Sequence, residues 1–192
     1  YFPEALLWPI LRARPLTCYN KPMKKKATKN YIATLAGTGL YLDLSKKCTG
    51  IVVAEGEDIL EHNRCEMGKI NDDGQLFLFF SDIISGYIVK YHPTFIAFEK
   101  AERQQGRAGE LYQVLLTALK VLAFTFKLPL VYAYPIQLKV AATGKAKAEK
   151  SEVISAVNAI FGLKLEDDNI ADAYALKLSV AKLLSEGRLE RL

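Results

Sequence analysis

The chain of 192 residues is long enough for one domain with a substantial core and too short for two. Half of it, 51%, is apolar, and no run of about 18 apolar residues escapes a charged or polar break, so the composition reads as globular and soluble rather than membrane-spanning, while three cysteines without CxxC pairing fit a reducing intracellular compartment. The formal net charge of +5 is concentrated: residues 1 to 36 hold seven Lys and Arg against one acid, the remainder is slightly acidic, and any DNA surface there must come from local clustering of bases.

Residues 1 to 36 also carry the only Trp and the run Lys24, Lys25, Lys26, with Met23 directly before it. Two readings stand: residues 1 to 22 are non-native sequence ahead of a start at Met23, or the segment is a basic, acid-poor arm for organellar targeting or nucleic acid. Either way it is set apart, and the folded domain is expected over residues 37 to 192.

From Leu40 the pattern becomes regular. LYLDL, GIVVAE and ILEHNRCEM, separated by turn-like residues, predict a three-stranded antiparallel meander. LFLFFSDIISGYIVKY predicts a helix from about Leu76 to Tyr91, stopped by Pro93. TFIAFE reads as a buried strand, Gly109 to Phe126 as a helix with a broad apolar face, and LPLVYAYP as a buried strand closed by Pro135. A helix over Glu149 to Phe161 and an amphipathic helix over Ile170 to Ser185, with Asn169 as its cap candidate, complete the order. Strands joined through helices pair in parallel, so the expected fold is α/β, a mixed five-stranded sheet with helices on both faces, in the order of RNase H.

Four acids stand where this order would bring them together. Asp43 ends the first strand, Glu99 ends the strand at 94 to 99, and Asp168 and Asp172 are one turn apart at the start of the last helix. Converging carboxylates repel and raise one another's pKa unless cations neutralise them. Hard oxygen ligands favour Mg2+, with Mn2+ as substitute, and two such ions about 4 Å apart suit phosphodiester hydrolysis. Taken singly, an acid at a strand end is usually solvated, and Asp167, Asp168 and Asn169 can serve only as helix caps. Cys18, Cys48 and Cys65 show no CxxC pairing, and His62 and His92 are isolated, so neither zinc nor a disulfide framework is supported.

Four separated segments resemble the RuvC-type Holliday junction resolvases of the RNase H superfamily. DLSKKCTGIVV is similar to the first motif, with Asp43, Thr49 and Gly50; FIAFEKAE to the second, with Glu99; YPIQLKVAATGKAKAEKSEV to the third, with Lys139 and Lys150; DDNIADAYAL to the fourth, ending in Asp172. The resemblance covers residues 38 to 184. It implies metal ligation by Asp43, Glu99, Asp168 and Asp172, with Asp167 in reserve, and a catalytic or DNA-contacting role for Lys150. Arg103, Arg107, Lys139, Lys145, Lys147 and Lys150, from two loops expected to flank the carboxylates, are the candidate phosphate contacts. It further implies a four-way junction as substrate and a homodimer, for which the stripe Leu115, Leu119, Leu122, Phe126 offers either an interface or core. The sequence departs from the family at Leu44-Ser45, where Pro-Gly is preferred, at Asn169, where an acid or His is usual, and at Glu102, where an aromatic probes the junction.

Rival readings are an RNase H-like nuclease acting on RNA/DNA hybrids or flaps and a nonenzymatic DNA-binding module. An actin- or sugar-kinase-like ATP-binding domain shares the Asp and Thr-Gly turn but normally needs two domains. GxxxxGK[ST] is absent, so the Gly144 turn is a flexible loop rather than a nucleotide cradle.

Overall fold

Along β1 (Thr38–Asp43) Leu40 and Leu42 face one side of the sheet and Tyr41 and Asp43 the other, and all but Asp43 are buried. That two-sided burial requires helices on both faces. The computed structural model describes residues 37–101 and 106–192, so the expectations for the basic segment and for Glu102 and Arg103 lie outside the described residues.

β1 is followed by β2 (Cys48–Glu55), β3 (Asp58–Glu66), α1 (Asp73–Tyr91), β4 (Phe95–Glu99), α2 (Gly106–Phe126), β5 (Leu130–Ala133), α3 (Pro135–Thr143), α4 (Lys150–Phe161), α5 (Asp168–Ser185) and β6 (Glu190–Arg191). The sheet order is β3-β2-β1-β4-β5-β6; β1 pairs β2 antiparallel and β4 parallel, and β4 pairs β5 parallel. The fold is therefore the expected mixed α/β arrangement. Leu40, Leu42, Ile51, Ile96 and Phe98 pack under α1 and α2, whereas Tyr41, Val52, Ala97 and Val131 pack under α3, α4 and α5. Each fully buried large apolar side chain contributes about 1.5–3 kcal/mol relative to exposure.

Local signals explain the helix ends. Asp72 caps α1 by accepting from Gln75 N at 2.7 Å, the buried stripe Leu76, Phe80, Ile84, Ile88 recurs every four residues, and His92 adopts a left-handed conformation just before Pro93. By length and composition α2 is apolar enough to cross a bilayer, but half of it is buried, with Leu115 and Leu119 fully enclosed, as befits a core helix.

Besides the start of α1 at Asp73 rather than about Leu76 and of α2 at Gly106 rather than Gly109, three elements differ from the sequence reading. Pro135 opens α3 instead of only closing a strand, because proline suits the first helical position; the Gln137 side chain accepts from Tyr134 N at 2.7 Å and secures that end. Two residues of β6 add a sixth strand by pairing with β5, too short to carry a periodic signal. The cap of α5 is Asp167 rather than Asn169, since the Asp167 carboxylate accepts from both Asn169 N and Ile170 N, and the helix accordingly starts two residues early.

Candidate active site

Leu42 pairs with Phe98 across the parallel β1–β4 ladder, so one step further on Asp43 and Glu99 stand side by side at the ends of their strands. Across the antiparallel ladder Asp43 is paired with Gly50, and Gly50 with Arg64 of β3. Directly paired residues point to the same face, so Asp43, Gly50 and Arg64 form one row beneath α5. A Cβ on Gly50 would lie 2.0 Å from the Asn169 carbonyl oxygen; only glycine lets the first turn of α5 settle against β2. This contact delivers Asp168 and Asp172 to the strand ends that carry Asp43 and Glu99.

The turn before Gly50 closes without Pro-Gly. Thr49 Oγ1 donates to Ser45 O at 3.1 Å and accepts from Ser45 N at 3.3 Å, and Thr49 is fully buried. On the neighbouring strand, Tyr112 of α2 donates its hydroxyl to Glu99 O at 3.1 Å and accepts from Ala101 N at 3.2 Å, pinning the chain where it leaves β4.

The charge balance at this edge is unfavourable to anions. Burial, then Glu99, Asp172 and Asp168, push the Asp43 carboxyl well above its usual range against the pull of Lys150. Burial and Asp172 push Glu99 up to about 7, opposed by Lys139 and Lys150. Asp172 is pushed up to about 6, chiefly by burial and also by Asp168, again opposed by Lys150 and Lys139. Lys150 forms a short ion pair with Asp168. The four acids and these two lysines thus share one electrostatic neighbourhood.

The other candidates are placed differently. Asp167 is turned away to Arg64, whose Nη1 lies 2.7 Å from its Oδ2; burial works against ionisation, but Arg64 and the capped amides outweigh it and hold this carboxyl below its usual range. Arg107 lies in the first turn of α2 and pairs with Asp73 of α1 and with Glu110, and Lys145 pairs with Glu152 at 2.7 Å. Lys147 is exposed and Lys139 half-buried. Gly50 stood in the sequence motif without its reason; Arg64 and Tyr112 gave no sequence signal, since their partners are distant in the chain.

Among the described residues no group of three or more His, Cys, Asp or Glu side chains is arranged to hold a metal ion as it stands. The acids feel one another without forming a closed cage, and an ammonium group rests on Asp168. In donor chemistry the set nonetheless fits a hard divalent cation: it is made of half-buried carboxylate oxygens, and the raised carboxyls of Asp43, Glu99 and Asp172 leave room for added positive charge.

Comparison with known proteins agrees with this architecture. A structure of Thermus thermophilus RuvC matches with 23% identity and a TM-score of 0.70, covering 81% of this chain and 99% of that one. The same protein in complex with a Holliday junction substrate matches with 22% identity, a TM-score of 0.68 and the same coverage. The yeast mitochondrial Holliday junction resolvase Ydc2 matches with 13% identity and a TM-score of 0.61, covering 88% of each chain. No curated protein sequence matches. At these identities the structural likeness establishes the fold alone, while the family model of the crossover junction endodeoxyribonuclease RuvC matches residues 45–180, and on that match the chain belongs to the RuvC family.

Proposed function

We propose that this chain is a divalent-metal-dependent endonuclease that resolves four-way DNA junctions by paired symmetric nicks as a homodimer. The observation that carries the reading is the meeting of Asp43, Glu99 and Asp172 at one edge of the sheet, where burial first and neighbouring acids second raise all three carboxyls, as suits a site for cations. Asp43, Glu99, Asp168 and Asp172 would hold two Mg2+ ions, or Mn2+ in their place. Bound there, the metal supplies activation of a water and stabilisation of the leaving oxygen. Lys150 screens the acids through Asp168, and passing its ammonium to a DNA phosphate would free that carboxylate for metal. Lys139, which also lowers Glu99 and Asp172, is the second base at the site; Lys145, Lys147, Arg103 and Arg107 are further phosphate contacts, for which Lys145 would leave Glu152 and Arg107 would leave Asp73.

Two sites related by a twofold axis suit two symmetric nicks. Leu115, Leu119 and Leu122 belong to the core, but on the same helix Val121 and Phe124 are 47% and 79% exposed three residues apart, and they offer apolar surface for a second copy. The basic segment 1 to 36 we read as an organellar targeting or DNA-binding arm, in keeping with the mitochondrial neighbour.

The test presents purified protein with four-way junction, linear duplex, flap and RNA/DNA hybrid in Mg2+, Mn2+ or EDTA. Paired nicks in the junction alone, abolished by EDTA, are expected. Cutting of hybrid or flap instead would replace the substrate, and binding without cutting would reduce the protein to a DNA-binding module.

A further inference from the structure

The row Asp43, Gly50, Arg64 spans three adjacent strands with a gap at its centre, and the backbone of Asn169 and Ile170 fills that gap. On the β1 side of the gap Asp43 faces the acids of α5. On the β3 side Arg64 reaches Asp167 at 2.7 Å, and its other nitrogen is held by Glu66 at 2.8 Å. Asp167 uses its two oxygens for different tasks: Oδ2 takes the guanidinium, while Oδ1 accepts from Asn169 N at 3.0 Å and Ile170 N at 3.1 Å. The guanidinium is thereby linked through one carboxylate to the amides that begin the helix, and Asp168 lies directly inside that linkage.

We infer that Arg64 is a positioning residue of the metal site, setting the rotation of the first turn of α5, and so the placement of Asp168 and Asp172, through Asp167. This rests on the reading that the four acids are metal ligands. Gly50 sets how closely the turn approaches the sheet, but a bare glycine cannot stop the turn from rolling; a rigid planar guanidinium gripped between Glu66 and Asp167 can. Arg64 is half exposed and such pairs contribute little to stability, so its effect is expected in the placement of the turn rather than in the thermal midpoint.

The experiment measures Mn2+ binding to the free full-length protein by electron paramagnetic resonance, alongside junction binding in EDTA and thermal midpoints, for wild type, Arg64→Gln, Arg64→Lys, Asp167→Asn and the Arg64→Gln/Asp167→Asn double variant. Loss of Arg64 is expected to weaken Mn2+ binding about tenfold, the scale on which groups behind a metal's ligands act. Junction binding and thermal midpoint should stay near wild type, Arg64→Lys should recover part of the loss, and the double variant should be no weaker than Arg64→Gln. Equal Mn2+ affinity in wild type and Arg64→Gln overturns the inference. So does weakened junction binding with unchanged Mn2+ affinity, which makes Arg64 a phosphate contact, and so does a double variant whose losses add, which separates Arg64 from Asp167. A wild-type protein that binds no Mn2+ overturns the metal reading itself, and the inference with it.

Discussion

Two glutamates on one sheet have opposite fates. Glu61 on β3 accepts from Lys90 Nζ at 2.7 Å, from Tyr91 Oη and from Tyr87 Oη at 3.0 Å, and these donors hold its carboxyl down at about 2. Glu99 on β4 is half-buried, and burial together with Asp172 pushes it up to about 7. At the Glu61 corner the fold provides every donor the carboxylate needs, and the corner fastens α1 to the edge strand. At the Glu99 edge the fold brings acids together and leaves them short of positive charge. The contrast separates a carboxylate that holds structure from one prepared for a partner not encoded in the chain.

The comparison breaks most sharply at Asp43. Asp43→Asn should reduce junction cleavage by more than the 10–100-fold typical of groups behind the ligands, yet raise the metal-free thermal midpoint, because it relieves the burial of an ionisable group and its repulsion by the neighbouring acids. A drop in midpoint, read by calorimetry in EDTA, would place Asp43 with Glu61 as a structural acid. Gly50→Ala comes next: a methyl group 2.0 Å from the Asn169 carbonyl must push the start of α5 off the sheet. Overpacking of that kind costs about 1–3 kcal/mol; cleavage should fall with stability, whereas a neutral substitution would show that the helix seat is loose.

The two glutamates should also bend the pH dependence of stability in opposite directions. Because Glu99 is raised to about 7 in the folded state, that state binds the extra proton, and metal-free stability should fall as pH rises from about 4.5 through 7, by roughly 1–3 kcal/mol. Saturating Mg2+ should flatten this limb, and Glu99→Gln should reduce it in urea titrations, leaving the share that the raised Asp172 and Asp43 carboxyls contribute. Because Glu61 is lowered to about 2, its contribution is complete above about 4.5 and is lost as pH falls toward 2. Glu61→Gln should erase that acid limb at a cost near neutrality of about 1 kcal/mol, the smallest of these effects, and leave cleavage untouched. Impaired cleavage in Glu61→Gln would mean that the two regions are coupled through β3.

Much of this architecture was legible in the chain. Short continuous apolar runs mark β1, β2 and β4, helical spacing of apolar residues marks α1, and the positions of Asp43, Glu99, Asp168 and Asp172 at element ends single out the candidate acids. These signals are local: short apolar runs and helical spacing are properties of a few consecutive residues. α3 was missed because one proline both ends a strand and opens a helix, and β6 because two residues have no period.

What the tertiary structure alone decided concerns partners far apart in sequence. Asp167 and Asp168 are adjacent and chemically identical, yet one caps α5 and grips Arg64 while the other faces Lys150. Arg107 reads as a free base in sequence but is engaged by Asp73 in space. Composition and periodicity determined which elements form and which residues lie at their ends; the strand register and the contact of α5 with Gly50 decided which of those ends meet, because electrostatic and steric energies depend on distances through space that spacing along the chain does not specify.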